Sequence, residues 1–124
     1  EDTPWCAAFV SWAVAQTNAQ AQCFDAFTAF ASVEIGLASF LDGTNGTWKD
    51  AGQTPLPGDL VFFDWDSEGS EDYGQPDHVG VVTYMDAESG MLYTIEGNCG
   101  GRVIECCYKA NDPRICGFGS LRWT

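Results

Sequence analysis

The sequence predicts an α+β domain, with helices first and a twisted antiparallel sheet of about five strands after them. Three observations carry that expectation. Apolar residues recur at helical spacing in the N-terminal third, short runs of β-formers bounded by turn residues fill the C-terminal half, and a Gly-, Asn- and Pro-rich stretch separates the two. The chain has 124 residues, of which 45% are hydrophobic and 14% aromatic, enough for a single domain, 1–124, with a modest core.

The first helix is expected over residues 4–19. Thr3 can cap it, Pro4 suits its first turn, and Phe9, Val10, Ala13 and Val14 form a core stripe in which Trp12 also fits. Cys6 falls in the first turn, where unpaired N–H groups and the helix dipole favour a thiolate. A second helix is expected over 25–41, burying Phe27, Phe30, Ala31, Ile35, Ala38 and Leu41, with Gly36 as its weak point. Residues 42–58 read as loop. Strands follow over 59–65, 78–85, 91–98, 102–109 and 115–122. The intervening segment 64–77 holds six acidic residues and no basic one.

Strand periodicity groups the polar residues. His78, the only histidine, shares a face with Gly80, Val82 and Tyr84, and Thr94, Glu96 and Asn98 share another. Residues 86–90 are short enough for a hairpin connection. If Met85 pairs with Met91, His78 lies opposite Asn98 and Glu96 is one diagonal step away; a two-residue shift puts Glu96 directly opposite. A one-residue slip would break the arrangement and mismatch the apolar faces. Either favourable register sets an acid and an amide beside the histidine. Together with a cysteine thiolate, these are the parts of a nucleophilic site: Cys6 attacks, His78 carries the proton, and a carboxylate or amide orients the ring.

The formal net charge of −13, from 18 acidic and five basic residues, excludes most nucleic-acid roles, since no cationic patch can replace phosphate counterions. It also disfavours direct adsorption to anionic membranes and teichoic-acid-rich walls. No apolar run is long enough to span a bilayer. Six cysteines (Cys6, Cys23, Cys99, Cys106, Cys107 and Cys116) could form three disulfides, or fewer if Cys6 is a nucleophile. Cys106 and Cys107 point to opposite faces of a strand and should not share a partner. No CxxC spacing and a single histidine argue against structural zinc. Asp64, Asp66, Glu68, Glu71 and Asp72 offer oxygen ligands that can bind Ca²⁺, though without EF-hand spacing. The opening Glu1-Asp2, without a signal peptide, suggests an excised domain or mature fragment.

The strings PWCAAFVSWAVAQ, PLPGDLVFFDW, DHVGVVTYM and LYTIEGN, followed by CGFGSLRW, occur in an order and spacing that resembles the CHAP domain of bacterial and phage peptidoglycan hydrolases. These are papain-like cysteine, histidine-dependent amidohydrolases and peptidases related to NlpC/P60 enzymes, which usually place a second histidine where this chain has Glu96. The resemblance implies a papain-like fold, with Cys6 as nucleophile, His78 as base, Glu96 orienting the imidazole and Asn98 as a fourth polar member. It implies cleavage of a cell-wall amide through a thioester, with no cofactor required and bacterial peptidoglycan as partner. Trp5 and Trp65 then suit the walls of the substrate groove. A separate wall-binding domain in the parent protein is expected, as is secretion or release of a phage product at lysis. The alternatives are a catalytically silent CHAP-like module with Cys6 locked in a disulfide, or an amidase acting on a small peptide conjugate.

Overall fold

The computed structural model describes residues 9, 10, 12, 13, 32–65, 76–97 and 102–121. They build an α+β domain from one helix, α1 (Val33–Leu41), and six strands: β1 (Gly46–Asp50), β2 (Leu60–Phe63), β3 (His78–Asp86), β4 (Met91–Gly97), β5 (Val103–Lys109) and β6 (Ile115–Leu121). All six form one antiparallel sheet in the order β1-β6-β2-β3-β4-β5. The sheet therefore has one strand more than expected. The expected first helix falls mostly outside the described residues, but Phe9, Val10, Trp12 and Ala13 carry helical backbone.

The additional strand, β1, lies inside the segment expected to be loop. Its sequence, Gly-Thr-Trp-Lys-Asp, has little intrinsic strand preference. Tertiary contacts override that: Trp48 packs against Phe62 at 5.6 Å between ring centroids, and the missing side chain of Gly117 on β6 leaves room for the Trp48 ring. Lys49 adds an ion pair, 2.8 Å from Nζ to Oδ2 of the buried Asp59, tying β1 to the head of β2.

Helix α1 starts where Ser32 accepts a hydrogen bond from the Ile35 N–H at 3.1 Å, an N-cap that interrupts the longer helix expected from the sequence. Residues 14–31 lie outside the described residues. The cap also sets the phase. The buried stripe is Val33, Gly36, Leu37 and Phe40, whereas Ile35 and Leu41, expected in the core, are each 61% exposed; Ala38 is exposed too. Beyond the helix, Asn45 fastens the turn into β1 through its N–H to the Ser39 carbonyl and its Nδ2 to Ser39 Oγ.

The middle of the sheet, at β2 and β6, is buried on both faces. One face, with Leu60, Phe62, Val79, Cys116 and Leu121, packs against Val33, Leu37 and Phe40 of α1 and against Val10. Trp12, expected in the core, is 61% exposed. The other face gathers Val61, Phe63, Val82, Leu92, Ile115 and Phe118, with Trp65, Met85 and Tyr108 at its margin.

The β3–β4 hairpin starts one residue away from the expected register: Asp86 faces Met91 and Met85 faces Leu92. A bulge then takes up Thr83, so that Val82 faces Thr94 and Val81 faces Ile95. From Val82 onward the offset is the one a Met85–Met91 pairing would have given. The bulge also changes which side chains share a face. Tyr84, expected beside His78, turns outward to Tyr93, and Met85 takes the inward position.

Candidate functional site

His78 opens β3 directly opposite Phe63, the last residue of β2. Asp77 fixes this junction: its N–H donates to the Phe63 carbonyl at 2.8 Å, and its Oδ1 accepts from the Trp65 N–H at 2.9 Å. The imidazole consequently sits against two aromatic rings, Phe63 at 5.6 Å and Trp65 at 5.8 Å between centroids. Its side chain is 14% exposed.

Glu96 reaches His78 from β4, with 2.7 Å between Oε1 and the imidazole Nε2. The carboxylate can take this path because residue 80 is glycine: a Cβ there would stand 2.6 Å from Glu96 Cγ. The second oxygen, Oε2, accepts hydrogen bonds from Thr94 Oγ1 at 2.6 Å and from Tyr108 Oη at 2.7 Å. Burial pushes the carboxyl pKa up, but the bonds from His78, Thr94 and Tyr108 outweigh it and hold Glu96 below its usual value. An ionised Glu96 accepts from Nε2–H and favours the tautomer in which Nδ1 carries the lone pair.

Around this pair the aromatic rings form a wall. Phe63 and Trp65 stack at 4.5 Å and 12°, Tyr108 packs on both at 4.9 and 5.7 Å, and the Arg114 guanidinium lies 4.6 Å over the Trp65 ring. Asp112 holds the Arg114 guanidinium through two hydrogen bonds, at 3.1 and 2.8 Å. Burial, then the hydrogen bond to Glu96, drive the Tyr108 phenol far above its usual pKa, so it stays protonated and donates to the carboxylate. Burial also raises Cys106, next to Glu96 and Tyr108, and pushes Cys116 up to about 11. Cys106, Cys107 and Cys116 are all free thiols. Cys106 is half-buried and Cys107 exposed in the strictly alternating β5, as expected for opposite faces.

Of the six residues singled out in the sequence, the structure brings together His78, Glu96 and Trp65. Cys6, Trp5 and Asn98 lie outside the described residues. So do Asp66, Glu68, Glu71 and Asp72 of the acidic segment, while Asp64 is buried at the end of β2. Among the described residues, no group of three His, Cys, Asp or Glu side chains is placed to hold a metal ion, and no helix is long and apolar enough to cross a membrane. Sequence reasoning placed Thr94 on the Glu96 face without a role for it, and missed Tyr108 and Asp77. The signal for Tyr108 was the alternation of Ile104, Cys106 and Tyr108 on the inward side of β5, and that for Asp77 its place just before the histidine.

The α+β sheet thus carries a buried carboxylate–imidazole pair at the junction of β2, β3 and β4. The CHAP domain family model matches residues 1–98, and the chain belongs to this family, whose members are generally peptidoglycan amidases and peptidases of the cysteine–histidine type. Among solved structures, the crystal structure of Ly7917 superposes with a TM-score of 0.53 at 18% identity. The match covers 94% of this chain and 53% of that one, so the chain spans about half of Ly7917 and shares its fold. No curated protein sequence matches the chain.

Proposed function

We propose that the chain hydrolyses an amide bond in cell-wall peptides, as an N-acetylmuramoyl-L-alanine amidase or an endopeptidase, with Cys6 as nucleophile. The observation that carries this proposal is the 2.7 Å contact between His78 Nε2 and a Glu96 carboxylate that two further donors hold in place. That arrangement has little use in a binding module, because its effect is to orient an imidazole. Val10, four residues after Cys6 in the sequence, belongs to the same buried cluster as Val79, the neighbour of His78. The raised thiols of Cys106 and Cys116 suit neither residue to nucleophilic attack at neutral pH. With Cys106, Cys107 and Cys116 free, only Cys23 and Cys99 remain as partners for a disulfide that would silence Cys6.

In the proposed reaction, Cys6, which the sequence places in the first turn of a helix, gives its proton to Nδ1 of His78 and attacks the amide carbonyl. The backbone N–H groups at that helix start stabilise the oxyanion. The imidazolium, held by Glu96, returns the proton to the departing amine and leaves a thioester on Cys6. His78 then draws a proton from water as its oxygen attacks the thioester; the C–S bond breaks, the acid leaves, and the proton on His78 returns to the Cys6 thiolate. Asn98 assists the histidine, and Trp5 and Trp65 wall the groove. Each step uses the chain's own residues. In this proposal the chain is one domain of a secreted or phage-released protein, and a separate domain delivers it to the wall.

Digestion of purified peptidoglycan with mass analysis of the new ends tests the proposal. A new L-Ala amine identifies an amidase, and a new stem or cross-bridge terminus an endopeptidase. Cys6→Ala and His78→Ala are each expected to abolish digestion, and wild-type activity in either variant would sink the mechanism.

A further inference from the structure

We propose that Tyr108 is a positioning residue of the site, acting through Glu96 on His78. It lies beyond residues 1–98, the span matched by the family model, so what assigns it is geometry alone. Its Oη donates to Glu96 Oε2 at 2.7 Å, while His78 engages the other oxygen at 2.7 Å. The carboxylate is thus gripped at both ends, and its rotation about Cγ–Cδ would break one bond or the other.

Two features separate this from incidental packing. The Tyr108 ring is fixed by contacts with Phe63 and Trp65, the same two rings that flank His78, so donor and imidazole share one aromatic frame. Glu96 is also almost fully buried, at 3% exposure, where no bulk water can replace a lost donor. The polar groups facing the carboxylate are His78 from β3, Thr94 from its own strand, and Tyr108 and Cys106 from β5. Thr94 is a neighbour two residues along the same strand. Tyr108 is the hydroxyl that ties Glu96 Oε2 to β5, on the side of β4 opposite His78 on β3.

The inference rests on the hydrolase proposal for its effect on rate, and its direct readout does not. Tyr108→Phe keeps the ring and removes the hydroxyl. A donor to the ionised form favours ionisation, so its loss raises the Glu96 pKa. The Glu96 carboxyl carbon, followed by NMR, is expected to titrate at higher pH in the variant. The acid limb of kcat on soluble peptidoglycan fragments should move up with it. Loss of a donor to a buried charge predicts a fall in kcat of about tenfold at neutral pH, with KM little changed. An unchanged Glu96 midpoint overturns the role of Tyr108. A chain that hydrolyses no peptidoglycan overturns the proposed function instead, and the Glu96 midpoint still decides the role of Tyr108. Should the variant not fold, 3-fluorotyrosine incorporation tests the same bond with the opposite sign. A more acidic phenol donates more strongly and should lower the Glu96 midpoint; no change overturns the proposal.

Discussion

A carboxylate in the position of Glu96 is costly, since burying an unpaired charge carries a penalty of several kcal/mol. Three donors offset that cost, and they do so asymmetrically. Thr94 and Tyr108 satisfy one oxygen with neutral hydroxyls, so the charge is left to act on His78 through the other. The residue that permits this is Gly80, which carries no chemistry of its own. Any side chain there would occupy the space of the Glu96 methylene, 2.6 Å from the position of a Cβ. That methylene lies in the middle of a side chain restrained at its tip, so it cannot swing aside without giving up a hydrogen bond. Overpacking of this kind costs about 1–3 kcal/mol. Gly80→Ala is therefore expected to leave the sheet folded while lowering kcat about tenfold or more. The NMR signals of the single histidine ring, compared between the two proteins, check whether the pair has separated. Wild-type kcat in Gly80→Ala would mean that Glu96 need not follow its observed path.

Among the elements, the sequence was most legible where one residue type dominates. The apolar run Leu60–Phe63, short, rich in β-formers and preceded by Pro-Gly-Asp, reads as a buried strand, and β3 to β6 follow from β-formers between turn residues. Less legible were features decided by a partner distant in sequence. Strand β1 exists because Trp48 finds Phe62 and the open space at Gly117, neither of which a local window contains. The buried face of α1 was misplaced because the expected stripe ran straight through Ser32, whose hydroxyl caps a new start. The bulge at Thr83 has no glycine to announce it, yet it moves Tyr84 off the His78 face and restores the offset that leaves Glu96 one diagonal step away. Of the site, the histidine and its carboxylate were legible from alternation, whereas Tyr108 required the actual reach of a side chain along the neighbouring strand. The docking of α1 onto the sheet yields a prediction at this scale. A Cβ on Gly119 would meet the Phe40 ring at 2.6–2.7 Å, so α1 can approach β6 only over a glycine. Gly119→Ala should destabilise the domain by about 1–3 kcal/mol in urea unfolding. Gly52→Ala, where a Cβ would meet nothing within 4 Å, should stay within about 0.5 kcal/mol. Pairing Gly119→Ala with Phe40→Leu should recover part of the loss, because the two sites share one contact.

For the whole molecule the dominant quantity is charge. The sequence holds 18 acidic residues against five basic ones, and two of the described cations are already committed: Lys49 to Asp59 and Arg114 to Asp112. The field around the domain is accordingly negative, while the proposed substrate lies in a matrix that many bacteria decorate with anionic teichoic acids. Like-charge repulsion lowers the local concentration of enzyme at such a wall and slows encounter, and salt relieves it. The screening length falls from about 30 Å at 0.01 M to about 10 Å at 0.1 M, a change comparable to the dimensions of the domain itself. Digestion of teichoic-acid-bearing walls by this chain is thus expected to speed up over that range of salt. Walls stripped of teichoic acid should show little change, which separates repulsion at the surface from any effect of salt on the site. Fusion to a wall-binding module should flatten the dependence, because tethering replaces diffusional approach by a high local concentration. If salt slowed digestion of both kinds of wall equally, the charge would act at the catalytic groups and not on approach, and delivery by a second domain would lose its physical motive.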